Sequence, residues 1–184
     1  MDPAPQPQEK PSRPFWLDVQ VWLRDVTLSV GLAAVVIVFL YQPVKVEGTS
    51  MLPWLQDQER IFVNKFVYRF DEIQRGDVIV FRFPLDPSKS YIKRVIGLPG
   101  DRVEVLQGDV YVNGELVPEP YIPPEYRDRS SHPALEAPPG HVYVLGDHRN
   151  TSNDSRTWGT VPLEFVTGKA VFAYWPLERF GALD

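Results

Sequence analysis

Between Val26 and Tyr41 the chain reads VTLSVGLAAVVIVFLY, sixteen residues without a charge. As a helix this run extends about 24 Å at 1.5 Å per residue, short of the roughly 20 residues that cross the hydrocarbon of a bilayer. Trp22 and Leu23 before it, and Gln42 to Val44 after it, can lengthen the span. A buried core helix would satisfy the same length. Against that reading, Lys10, Arg13 and Arg24 all precede the run, Trp16 and Trp22 stand where an interfacial belt belongs, and Pro43 follows directly. The basic asymmetry predicts a cytoplasmic N-terminus. No small-x-small site follows the run, so a cleaved leader is disfavoured. We therefore expect a flexible, Pro-rich cytoplasmic tail over 1–14, a membrane anchor over 15–43, and an extracytoplasmic domain over 44–184.

The rest of the 184-residue chain suits one domain. A net charge of −5 argues against a nucleic-acid partner, which needs a basic face. There is no cysteine, so no disulfide, no thiol nucleophile and no thiolate-held metal. His132, His141 and His148 show no metal-binding spacing, and nothing in the chain calls for a metal or another cofactor.

Past the apolar run, short β-rich stretches dominate: 60–64, 77–83, 91–96, 102–105, 110–112, 141–145 and 169–175. Asn113-Gly114 between Val110–Val112 and Glu115–Val117 is the strongest hairpin signal. The only helical hint after residue 55 is a turn near Phe66–Ile73. The fold class expected is mostly β, an antiparallel sheet behind one N-terminal transmembrane helix. Seven prolines over 118–139 forbid interior strands and mark a satellite loop at about 115–140.

Within the strand at 91–96, Lys93 has an alternation problem. Tyr91 and Val95 share its face, whereas Arg94 points the other way. A strand lysine can snorkel to water; a truly buried one loses charge and becomes a base. Upstream, Ser50 lies in EGTSMLP (residues 47–53), nine residues past Tyr41. A serine nucleophile needs a base, and no histidine here sits in a triad-like motif. The best base is Lys93, and a Ser–Lys pair suffices once the lysine is desolvated. A third polar block, GDHRNTSNDSRTWG (residues 146–159), follows a strand. There Ser152 could orient a neutral lysine, and Asp147, Asp154, Arg94 and Arg156 could pair to fix the loop; the sequence leaves the pairings open.

EGTSMLP, RGDVIVFRFP (residues 75–84), YIKRVIGLPGD (residues 91–101) and GDHRNTSNDSRTWG, in that order behind an N-terminal anchor, resemble the motif blocks of bacterial type I signal peptidases. The resemblance runs from about residue 25 to 176. It implies a fold shared with LexA-like proteins, Ser50 as nucleophile, Lys93 as general base, Ser152 as the hydroxyl orienting Lys93, and Asp154–Arg156 as a structural ion pair. It also implies removal of signal peptides from exported pre-proteins after a small-x-small motif, at the bacterial cytoplasmic membrane and in contact with lipid. The expected substrate groove comprises Val46, Met51, Leu55, Tyr91 and Ile92.

Two positions depart from the pattern. Gly48 stands where some members carry an oxyanion-donating serine, so the oxyanion should rest on backbone N–H groups, chiefly that of Ser50. His148 stands where the pattern has asparagine, which puts a titratable ring beside the site. Two other readings are a LexA-like self-cleaving protease and a catalytically silent, membrane-tethered protein that holds export substrates. The anchor and acidic charge oppose the first; retention of Ser50, Lys93 and Ser152 together opposes the second.

Overall fold

The computed structural model describes residues 15–183, so the tail expected at 1–14 lies outside the described residues. The chain divides into two compact units, one ending at Phe39 and the other beginning at Leu40. The first contributes helix α1 (Phe15–Leu40), 26 residues and thus about 39 Å long. Its stretch Asp18–Val36 is long and apolar enough to cross a membrane, and none of it is buried.

The second unit is built from strands β1 (Tyr41–Lys45), β2 (Arg60–Asn64), β3 (Val78–Phe83), β4 (Asp86–Gly97), β5 (Arg102–Leu106), β6 (Asp109–Val112), β7 (Glu115–Leu116), β8 (His132–Glu136), β9 (His141–Leu145), β10 (Val161–Pro162), β11 (Val166–Trp175) and β12 (Gly181–Ala182). Two one-turn helices, α2 (Val67–Phe70) and α3 (Ser155–Trp158), complete it. A large antiparallel sheet runs β1-β2-β11-β3-β4-β9-β10, with β12 on β11; a smaller one runs β7-β6-β5-β8.

Alternation explains the two faces of the large sheet. Val78, Val80, Ile61 and Val63 join Val46, Met51 and Leu55 in one core cluster. Ile79, Phe81 and Val95 face the opposite way, into a cluster with Val142, Val144 and Val161, against which Tyr91 and Trp158 pack. Lys93 pairs with Ile79 across the β3–β4 ladder, which puts it on this second face, as the alternation predicts. Asn113 (φ 54°) and Gly114 (φ 86°) form the expected tight turn between β6 and β7.

Two expectations change. The anchor expected over 15–43 ends as a helix at Leu40, because Tyr41–Lys45 pairs residue for residue with β2. Gln42 to Val44 therefore do not lengthen the span. Pro43, read as a helix stop, is accommodated because β1 is an edge strand. The satellite at 115–140 is also more ordered than a surface loop: it contains β7, a 3-10 turn at Pro124–Tyr126, and β8, with Glu119 and Ile122 buried. Pro133 is tolerated because β8 is itself an edge, and the ladder to β5 is irregular there.

A protein beginning at Val44 loses three of the five β1–β2 pairs and the Tyr41–Phe62 ring contact, whereas one beginning at Leu40 keeps them. At roughly 0.5 kcal/mol per cross-strand pair, the shorter protein should melt about 3–6 °C lower. Thermal unfolding of the two proteins side by side checks this; equal midpoints would mean that β1 adds nothing.

Candidate active site

After β1 the chain continues antiparallel to residues 58–59, with Val46 N–H donating to Glu59 O (2.7 Å) and Gln58 N–H to Val46 O (2.8 Å). Gly48 then turns it at φ +95°, a left-handed value that favours glycine, and its N–H donates to Asp57 Oδ1 (2.8 Å). That bond, above all, holds the Asp57 carboxyl below its usual range. The turn delivers Ser50, half-buried, to the end of β4.

There Lys93 Nζ lies 2.7 Å from Ser50 Oγ and 3.1 Å from the Ile92 carbonyl oxygen. Lys93 is 4% exposed. Burial, the largest cause, lowers its pKa from 10.5 to about 8, against the attraction of Asp154 and Asp147 and with help from Arg156. Arg94, on the opposite face, sends Nε and Nη2 to the two oxygens of Asp147 (2.9 and 2.6 Å). Its guanidinium sits 4.9 Å from the Trp54 ring and 4.3 Å from that of Tyr121. Arg156 grips Asp154 through Nε and Nη2, both at 2.8 Å, and Asp154 Oδ2 also accepts the Gly146 N–H (3.0 Å). The pairings left open by the sequence are thus Arg94–Asp147 and Arg156–Asp154.

Ser152 lies against the same corner but makes no bond to Lys93. Its Oγ is buried and has no hydrogen-bond partner among the described residues. Gly146 makes the approach possible: a Cβ there would fall 2.2 Å from Ser152 Oγ and 2.5 Å from Ser50 O. His148 places its ring Nδ1 3.0 Å from Thr49 O, and its backbone N–H donates to Ser50 O (3.1 Å). The N–H of Ser50 itself donates to no protein acceptor among the described residues.

A cavity of about 570 Å³ opens between residues 44–51 and 89–93, with Ser50 and Lys93 in its wall. Val46, Met51, Tyr91 and Ile92 line it, joined by Val44 and Val80. Leu55 does not: it is fully buried in the core cluster that also holds Met51. Val44 stands two residues before Val46, so alternation could have found it, whereas Val80 is brought there by its cross-strand pairing with Ile92. β4 pairs with β3 through Ser90–Arg94, but with β9 only from Arg94 onward. Among the described residues, Ser90–Lys93 therefore keep one strand edge unpaired.

Three further contacts are not foreshadowed by any motif. Arg149 is buried in a two-pronged pair with Glu119, Nη1 reaching Oε2 at 2.8 Å, and its Nε donates to Gly146 O (3.0 Å). Arg156 Nη1 also reaches Asp128 Oδ2 (2.8 Å). Tyr126 meets the His148 ring edge to face at 4.9 Å. All three tie the Pro-rich stretch to the loop after β9. No group of His, Cys, Asp or Glu among the described residues could hold a metal ion.

A family model described as signal peptidase, peptidase S26, matches residues 19–175. The chain belongs to the signal peptidase family. Among its relatives are a probable signal peptidase I of Synechocystis (39% identical, covering 96% of this chain and 81% of that one) and signal peptidase I of Leptolyngbya laminosa (37%, 98% and 94%). Signal peptidase I of Bacillus caldolyticus is 38% identical, covering 83% of this chain and 90% of that one. A crystal structure of a signal peptidase I from Enterococcus faecalis matches at 34% identity with a TM-score of 0.46, over 54% of this chain and 97% of that one. As a type I signal peptidase the chain has its four motif blocks gathered on one cavity.

Burying a lysine in this signal peptidase has a stability cost whose sign follows from its lowered pKa. Between pH 8 and 10.5 the unfolded chain holds a proton that folded Lys93 has lost, so stability rises with pH across that window. Below pH 8 the full cost applies, about 3 kcal/mol from a shift of this size. Lys93→Met should therefore melt higher than the wild type near pH 6.5, with the gap closing towards pH 10.5. Thermal melts of both proteins across that range decide it; a gap that does not change with pH would contradict the burial cost.

Proposed function

We propose that this enzyme cuts signal peptides from exported pre-proteins after a small-x-small motif, with Ser50 as nucleophile and Lys93 as general base. The observation that carries the reading is the 2.7 Å contact between Lys93 Nζ and Ser50 Oγ in a site where lysine deprotonates near neutral pH. Neutral Nζ takes the Oγ proton as Oγ attacks the scissile carbonyl carbon. The resulting oxyanion accepts the Ser50 N–H. As the tetrahedral species collapses, the leaving amine takes the proton from Nζ, and the signal peptide stays on Ser50 as an ester. Water then attacks that ester, gives a proton to Nζ, and releases the carboxylate while Oγ is reprotonated.

Substrate geometry follows from the strand edge. A peptide extended along the unpaired edge of Ser90–Lys93 presents its first and third residues before the cut on one face. That face meets Val46, Met51 and Ile92, apolar cavity-lining residues against which the small side chains of the motif would pack. Ser152 Oγ, with no other partner among the described residues, is free to bond Lys93 when Nζ turns from the Ile92 carbonyl. Helix α1 anchors the enzyme in the cytoplasmic membrane, with the basic residues before its apolar run on the cytoplasmic side and the β domain outside.

The test is incubation of the detergent-solubilised protein with a pre-protein, followed by mass spectrometry of the new N-terminus. Ser50→Ala and Lys93→Arg should each remove nearly all cleavage, because a guanidinium does not give up its proton and the pair acts as a unit. Ser152→Ala should lose about 10–100-fold. Turnover by Lys93→Arg would refute the base role.

The pH dependence of kcat/KM should carry an acidic limb centred near pH 8, since only neutral Lys93 accepts the Ser50 proton. At pH 7 the rate should be about a tenth of the alkaline plateau. A flat profile from pH 6 to 9 would exclude Lys93 as the titrating group.

A further inference from the structure

His148 touches Ser50 from both sides of its backbone. Its own N–H donates to Ser50 O at 3.1 Å, and its ring Nδ1 lies 3.0 Å from Thr49 O. A carbonyl oxygen only accepts, so Nδ1 carries the hydrogen. The Leu52 N–H reaches the same oxygen at 3.1 Å. Thr49 C=O and Ser50 N–H belong to one planar, trans peptide unit and point in opposite directions. Whatever holds the Thr49 oxygen therefore aims the Ser50 N–H.

We propose that His148 is a positioning residue that aims the Ser50 N–H at the oxyanion, through the hydrogen bond from its ring to the Thr49 carbonyl. The inference rests on the reading of Ser50 as nucleophile. It also gives the Pro-rich stretch a part in the reaction. The His148 ring packs edge to face on Tyr126, with centroids 4.9 Å apart and planes at 78°. Tyr126 in turn is held by the Arg149 N–H, which donates to its carbonyl oxygen at 2.9 Å. Gly48, whose N–H is taken by Asp57, fixes the peptide from the upstream side. Without a side-chain donor to the oxyanion at position 48, this backbone N–H has to be well aimed.

The chemistry of position 148 can be dissected by substitution. Asparagine carries an amide nitrogen at nearly the distance of Nδ1 from the backbone; leucine fills similar space without a donor; alanine does neither. The full-length protein in detergent is assayed on a short soluble small-x-small peptide, alongside Ser50→Ala. His148→Ala and His148→Leu should lower kcat by about 10–100-fold with KM within about twofold, since an aimed donor acts on the transition state and losing one outright costs 10²–10³. His148→Asn should recover most of the lost kcat, and melting points should stay together. An unchanged kcat in His148→Ala, an Asn variant as slow as Ala, or a loss confined to KM would overturn the inference while leaving Ser50 as nucleophile. Wild-type rates in Ser50→Ala would overturn both.

Discussion

A lysine that loses its proton near pH 8 can exist inside a β domain only if the carboxylates around it are already engaged. Asp154 and Asp147 both act to keep Lys93 charged, and both are fully buried. Each is gripped at both oxygens by an arginine, Arg156 and Arg94 respectively. Arg94 is further boxed between the rings of Trp54 and Tyr121. Desolvation can then dominate, and the lysine is left with a hydroxyl and a carbonyl as neighbours. Buried ion pairs of this kind add little net stability, because stripping two ions of water offsets their attraction. Their value here is geometric, since each bidentate pair fixes a loop that touches Ser50 or Lys93.

The Pro-rich stretch belongs to the same scheme. Glu119 enters the core to meet Arg149, Asp128 meets Arg156, and Tyr126 meets His148. Arg149 then holds Gly146 O, and Gly146 is the point where Ser152 and the Ser50 carbonyl pack so closely that a methyl group has no room. Proline suits such a brace. It lowers the entropy of the unfolded chain at positions already extended, and the small sheet requires only the edge strand β8 from this segment.

Alternation and turn chemistry made most of the β domain legible. The strands at 60–64 and 141–145 match residue for residue, and Asn113-Gly114 turns where expected. Strand β1 was hidden because Tyr41–Lys45, five residues holding Pro43 directly behind a long apolar run, show no clean strand alternation, and the pairing with β2 is what ends the helix at Leu40. The contact between Ser50 and Lys93 was inferable from chemistry, since a serine read as a nucleophile without a usable histidine calls for a buried amine. The arginine–carboxylate partners were not: Arg149 and Glu119 lie thirty residues apart, and any of several acids could have met any arginine. Leu55 was misassigned for a related reason. An apolar residue near Ser50 fits a groove and a core equally well until the packing is known, and it lies in the core.

The course of β1 also limits where the chemistry can occur. Nine residues separate Leu40 from Ser50, and five of them are committed to an edge strand. An extended strand advances about 3.4 Å per residue, so β1 accounts for roughly 17 Å. Past it the chain is tied through Val46 and Gly48 to residues 57–59, and turns before it can travel much farther. With α1 as the proposed anchor, Ser50 stays within a few tens of ångströms of the bilayer surface however the domain is tilted. A soluble domain would have to find a membrane-held signal peptide by three-dimensional diffusion. A tethered one meets it at an effective concentration set by so short a connection, and under the proposed reading the edge of β4 then needs little affinity of its own.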